Sequence, residues 1–170
     1  MSLILLTTGT RAPFDRFVRI VDDWAGKNAN ARIVGQIGRG RYRPRHIEAK
    51  PFLDSSEYRA LARDCTLILS HAGMGSVLSA LEYGKPLLMM PRDQQLGECI
   101  SDHQFGTARR MACLPGIYIA HNAAELIRRL DTHHSLIAPE KPQKNTRQLE
   151  LAQFVTDFIE QHHEPEPLES

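Results

Sequence analysis

Long apolar runs are missing from this sequence. No stretch approaches the ~20 consecutive apolar residues that a membrane-crossing helix needs. The opening residues 1–6 hold only a short apolar run without a basic leader, so neither a signal peptide nor a span is expected there. Cysteine is scarce. Cys65, Cys99 and Cys113 are an odd set with no CxxC pair and no matching histidine spacing, which argues against a disulfide framework and a structural zinc site. Buried or half-buried thiols in a reducing cytoplasm are the expectation. Excess charge of either sign is also absent. The 21 Lys and Arg against 20 Asp and Glu leave +1, so the whole-molecule positive field of a nucleic-acid binder is missing and charge arguments are local. What the chain does have is a globular mixture, 42% apolar and 24% charged over 170 residues. That length suits one domain burying about 68–70% of its unfolded surface.

Short apolar runs alternate with amphipathic stretches of helical length, the pattern of a parallel α/β sheet with crossover helices. Strands are expected at residues 3–7, 31–36, near Ile47, and at 66–70, 86–90 and 117–119. Helices are expected at 14–26, from the Asp54 cap to Arg63, and at 75–83, 97–111 and after the Asn122 cap. Phe14, Phe17, Val18 and Val21 share one face of the first helix, and Leu126, Ile127 and Leu130 mark the one after Asn122. A last helix at 145–162 carries Leu149, Leu151, Phe154, Val155, Phe158 and Ile159, a wider stripe than one buried face requires. Residues 1–163 read as a single domain, and 164–170, with two prolines and three acids, as a disordered tail.

The stretch His71-Ala72-Gly73-Met74-Gly75-Ser76 lies where a buried strand ends and a helix begins. At such a place an open α/β sheet presents backbone amides and the positive end of a helix dipole to a ligand, which suits phosphate. Gly73 and Gly75 let the backbone turn and approach an anion, the Ser76 hydroxyl adds a donor, and His71 offers one more hydrogen bond. A glycine turn with a serine cap is also an ordinary strand-to-helix connection.

The order H-A-G-M-G-S-V-L-S-A-L-E-Y-G-K-P from His71 to Pro86, followed by an apolar strand and Asp102-His103-Gln104, resembles the donor-binding half of GT-B glycosyltransferases that use nucleotide diphosphate sugars. Within these it looks like the family 28 C-terminal domain, and more closely like the small soluble subunit of two-chain transferases. One such subunit, in eukaryotes, adds the second N-acetylglucosamine to a lipid-linked oligosaccharide; others belong to bacterial exopolysaccharide pairs. Met90-Pro91-Arg92, Gly97-Glu98 and Asp102-His103-Gln104 look most like the exopolysaccharide version, and Thr7-Thr8-Gly9-Thr10, Phe14-Asp15 and Gln36-Ile37-Gly38-Arg39-Gly40 fall where these subunits have similar stretches.

The resemblance implies a Rossmann-like parallel sheet flanked by helices, equivalent to the C-terminal half of a GT-B enzyme. It implies a diphosphate at His71, Gly73, Gly75 and Ser76 with Gly9 and Thr10 bordering the cleft, a uracil framed by Phe52 and Leu53, and a donor sugar near His103 and Gln104. Ser79 is a departure, because many relatives place a ribose-binding glutamate there. A serine reaches two hydroxyls poorly, which shifts the role toward water or Glu82, one turn on, unless Glu82 is simply a solvated helix charge. The implied chemistry is an inverting transfer from a UDP-sugar, with no metal and no cofactor besides the donor. No catalytic base is identified. A partner chain would be membrane-anchored and carry the acceptor site for a polyprenyl-diphosphate-linked glycan, leaving this chain cytoplasmic and peripheral to the membrane through that partner. The competing reading is a non-enzymatic accessory subunit that activates a partner transferase. A nucleotide-sugar epimerase of the same architecture needs both lobes in one chain and is disfavoured by length.

Other features are read on their residues alone. Arg39, Arg41, Arg43 and Arg45 are four guanidiniums in seven residues, suited to phosphate, an anionic lipid surface or, least of all, nucleic acid, or to plain solvation. The pairs His133-His134 and His162-His163 lack helical ligand spacing, which disfavours metal. Trp24, Phe14 and Phe17 read as core. Arg92 is a candidate partner for a uronate carboxylate. The apolar face of the last helix is the candidate docking surface for the partner, or else packs on the domain's own sheet.

Overall fold

The structure, a computed structural model, describes residues 1–99, 109 and 111–140. Six strands form one sheet in the order β3-β2-β1-β4-β5-β6, and each strand pair is parallel. The strands are β1 Ser2–Thr7, β2 Ala31–Gln36, β3 Glu48–Lys50, β4 Leu67–His71, β5 Leu87–Met90 and β6 Ile117–Ile119. Ile4, Leu5 and Leu6 of β1, Leu67, Ile68 and Leu69 of β4 and all of β5 are fully buried. Unbroken burial on both strand faces is what a central parallel strand covered by helices demands. The fold class implied by the sequence is the one observed.

Helix α1, Asp15–Ala25, lays Phe17, Val18, Val21 and Trp24 on the sheet, with Phe14 stacked on Phe17 at 5.1 Å between ring centres. Helix α2, Ser55–Asp64, starts on a capping box in which Asp54 accepts from the Ser56 and Glu57 amides while Glu57 reaches back to the Asp54 N–H. Helix α3, Met74–Tyr83, stops at Gly84, which takes the left-handed conformation. Helix α4, Ala123–Asp131, is capped by Asn122. The core reading of Trp24 holds, and its indole N–H also donates to Asp131 at 2.8 Å. His133 is buried between the Leu130 carbonyl and the Ser2 hydroxyl, a packing role.

Most element ends fall within a residue or so of the sequence reading, and two differences bear on the site. Strand β4 runs one residue further, to His71, because its pairing with β5 continues through His71 and Met90. No helix begins at Gly97: residues 93–98 are turns in which the Leu96 and Glu98 amides bond the Asp93 carbonyl, and Gly97 has φ +69°. The turn is tied down by Arg16 of α1, whose Nε and Nη2 bond both carboxylate oxygens of Glu98 at 2.8 and 2.7 Å. The expected last helix, the tail, His103 and Gln104 lie outside the described residues.

The strand order fixes where a ligand goes. From β1 the chain winds outward through β2 and β3, then returns to β4 on the other side of β1 and winds outward again. The carboxyl ends of β1 and β4 are therefore the point where the winding reverses, and a crevice opens there.

Candidate functional site

The crevice holds a cavity of about 730 Å³, walled by the loop after β1, the end of β4 and the start of α3. Register brings these together, since Thr7 pairs with Ser70 and the next residues, Thr8 to Thr10 and His71, face one space. His71 sits at its centre. A Cβ on Gly9 would come within 2.7 Å of His71 Cε1, and so would a Cβ on Gly73. The two glycines thus hold the imidazole between them, and Gly9 also carries φ +75°, which side chains avoid. At Gly75 a Cβ would meet nothing within 4 Å, so the first turn of α3 faces open space. No side chain caps α3, in contrast to α2 and α4. The dipole end and the early amides are turned toward the cavity.

Burial and the nearby Arg92 guanidinium push the His71 pKa down to about 4, against a smaller upward pull from a hydrogen bond to the Thr7 backbone. At neutral pH the ring is uncharged and contributes a hydrogen bond rather than a positive charge. Arg92, which the sequence suggests as a uronate partner, is 4% exposed and donates through Nη2 to the carbonyls of Thr8 and Ala12, each at 2.6 Å. Its structural work is to fix the loop after β1, while its charge sits in the cavity wall.

Ser76 lines the cavity and is also tied into the protein itself. It is 5% exposed, its hydroxyl is bonded to that of Ser70, and its N–H closes a turn on the Gly73 carbonyl at 3.1 Å. Ser70 in turn donates to the His71 carbonyl at 2.7 Å. The serine pair fastens β4 to α3. Gly73 lines the same cavity and leaves room for the imidazole.

A second chamber of about 450 Å³ adjoins the first, and Tyr58 and Ser79 line both. Leu53 and Glu82 are in its wall. Phe52 is 44% exposed and is absent from the walls of both chambers. The Ser79 hydroxyl donates to the Gly75 carbonyl at 3.0 Å and accepts from Tyr58 at 3.2 Å, so it is engaged within the protein. Two residues the sequence reading missed shape this chamber. Gln36, buried at the end of β2, accepts the Leu53 N–H at 3.0 Å and sets the loop. Tyr58 joins α2 to α3. The available signals were a polar residue closing an apolar strand and a lone aromatic on a polar helix. Among the described residues no group of three or more His, Cys, Asp or Glu is placed to hold a metal, and no helix is long and apolar enough to cross a membrane.

With this geometry in place, residues 3–162 match the glycosyltransferase family 28 C-terminal domain. The chain belongs to that family. Among curated proteins, the UDP-N-acetylglucosamine transferase subunit ALG13 of Homo sapiens is 32% identical over 124 residues, 65% of this chain and 10% of that protein. The Mus musculus subunit is 36% identical over 84 residues, 46% of this chain and 7% of that protein. The chain spans a tenth or less of the length of these relatives. Solved structures agree in fold. A glycotransferase of kitacinnamycin superposes with TM-score 0.62 at 17% identity, over 95% of this chain and 43% of that one. The solution structure of ALG13 gives 0.58 at 18% identity, over 87% and 94%. The calicheamicin glycosyltransferase CalG4 gives 0.57 at 15% identity, over 93% and 39%. The family 28 domain of this chain is thus a GT-B C-terminal, Rossmann-like domain.

Proposed function

We propose that this domain binds a UDP-sugar and supplies the donor half of an inverting, two-chain glycosyltransferase. The observation that carries the reading is the convergence on one crevice of an uncapped helix start, an open approach at Gly75 and a side chamber entered past Tyr58 and Ser79. The diphosphate lies against the Met74 and Gly75 amides, with the neutral His71 ring offering a hydrogen bond and Arg92 a positive charge behind it. The nucleoside extends toward Leu53, Gln36 and Tyr58.

In the reaction the acceptor hydroxyl attacks the anomeric carbon from the face opposite UDP, the bond to the diphosphate oxygen breaks, and UDP leaves with the electron pair. Negative charge grows on the diphosphate, where the helix start and Arg92 stabilise it. The acceptor's proton goes to a base on a partner chain, which also holds the acceptor. A lipid-linked, polyprenyl-diphosphate-borne glycan at a membrane-anchored partner is the acceptor proposed, in exopolysaccharide or related glycan synthesis. UDP-N-acetylglucosamine, named in the human and mouse relatives, is the first donor to test, beside UDP-glucose, UDP-galactose and UDP-glucuronate.

The engaged Ser79 hydroxyl favours one second reading, an accessory subunit that activates its partner without gripping the donor. Calorimetric titration of UDP and the four UDP-sugars separates the two. Gly75→Leu places a side chain where the cavity is open and nothing in the protein objects. It is expected to leave thermal stability unchanged and to weaken UDP binding at least about tenfold. Absence of UDP binding by the wild-type chain, alone and with its partner, overturns the donor-site reading in favour of the accessory one.

A further inference from the structure

The arginine loop at residues 39–45 takes no part in the donor crevice, and its construction is unusual. Asp22 of α1 is 1% exposed, yet its carboxylate faces the loop backbone: Oδ1 accepts from the amides of His46 at 2.7 Å and Ile47 at 3.2 Å, and both oxygens accept from that of Arg45. The Tyr42 hydroxyl donates to it at 2.8 Å. Asp15 accepts the Arg41 amide at 3.0 Å. These two carboxylates rigidify the loop through its main chain instead of neutralising its side chains. None of Arg39, Arg41, Arg43 or Arg45 forms an ion pair among the described residues. Arg19 adds a further cation over the Tyr42 ring, 4.9 Å from its centre, and Asp23 is the remaining acid near Tyr42.

Under the loop is a cavity of about 510 Å³ floored by Ile37, Ile47, Ala49 and Pro51 and flanked by Arg39 and Arg43. Arg43 folds back so that Nη1 bonds the Gly40 carbonyl at 2.8 Å, which leaves its Nε and Nη2 edge for a ligand. That edge is the one that grips a phosphate in two parallel hydrogen bonds. An apolar floor beneath a guanidinium rim matches a molecule with a phosphate at one end and hydrocarbon at the other.

We infer that this loop and cavity are a docking site for the phosphate headgroups of an anionic bilayer, so that the domain itself touches the membrane surface. Arg39 and Arg43 take a headgroup phosphate, Arg41 and Arg45 sit in the surface potential, and the apolar floor receives the glycerol region. The inference is independent of the donor reading, since the cavity under the loop shares no lining residue with either chamber of the crevice.

Flotation of the full chain with phosphatidylcholine vesicles, and with phosphatidylcholine and phosphatidylglycerol in roughly a 7:3 ratio, tests it. Binding is expected only to the anionic vesicles, to weaken with salt, and to fall about fivefold for each guanidinium removed in Arg39→Gln and Arg39→Gln/Arg43→Gln. Arg43→Lys keeps the charge but loses the paired edge and is expected to fall between wild type and the double variant. Arg63→Gln/Arg128→Gln, the same charge change on α2 and α4, is expected to bind as wild type. UDP titration of each variant reads the donor site separately. Equal loss in the α2 and α4 control, no binding to anionic vesicles, or displacement from them by polyuridylate but not by soluble phosphate-bearing short-chain lipid overturns the assignment.

Discussion

A single ring explains two glycines. His71 fits only because Gly9 and Gly73 lack side chains, and the collision a methyl at either would make is with the ring itself. Gly73→Ala is therefore expected to cost about 1–3 kcal/mol in urea denaturation. The cost should shrink in a His71→Ala background, a coupling that a double-mutant cycle measures directly. The same ring has a depressed pKa, about 4 against 6.5 for an exposed histidine. Folding therefore favours the neutral form. The associated stability is fully present above the unfolded value and is lost as pH falls toward 4, up to about 3 kcal/mol. His71→Gln should flatten that part of the acid limb relative to wild type, and an imidazole NMR titration of the wild-type chain should place the midpoint near 4.

Elements here are held by polar groups that join them across long sequence gaps. Asp22 is the clearest. Burial alone would raise its pKa, but hydrogen bonds from the Arg45 and His46 amides and the Tyr42 hydroxyl outweigh that and hold it below the ordinary carboxylate value. Asp22→Ala leaves those donors and the Ile47 amide without their acceptor, with an expected loss of about 3–5 kcal/mol and faster amide exchange at Arg45, His46 and Ile47. Asp54→Ala, which removes a local cap on α2, should cost only about 1 kcal/mol by thermal melting. The contrast follows from geometry: the cap closes one exposed turn, whereas the buried carboxylate organises a whole loop.

For the molecule as a whole, the proposed donor reading puts the departing nucleotide in this domain's crevice and the acceptor with its base on a partner. The isolated chain is expected to bind UDP-sugar while transferring sugar at least about a hundredfold more slowly than with a partner that brings a base and an acceptor. A coupled assay for released UDP, run with and without the partner, checks this. Rapid transfer by the chain alone would place the base within these 170 residues.

Much of the fold was legible because it is written locally. The strands at 31–36 and 117–119 were placed to the residue, since apolar runs between turn formers carry their own limits, and the Asp54 and Asn122 caps lie within three residues of the amides they bind. The crevice was legible through the glycines and serine after β4. How its residues are tied together was not: Ser76 bonds Ser70, a Cβ on Gly73 would meet His71, and Phe52 lies outside the walls of both chambers. The bond from Arg92 to Thr8 spans 84 positions and that from Asp22 to Ile47 spans 25. Such contacts exist only once β1 lies beside β4 and α1 lies on the sheet. Sequence alone determined the order of elements and the chemistry of the turn, because both depend on near neighbours. Tertiary structure decided which side chains line the crevice and which face each other, because that depends on parallel pairing of strands far apart in the chain.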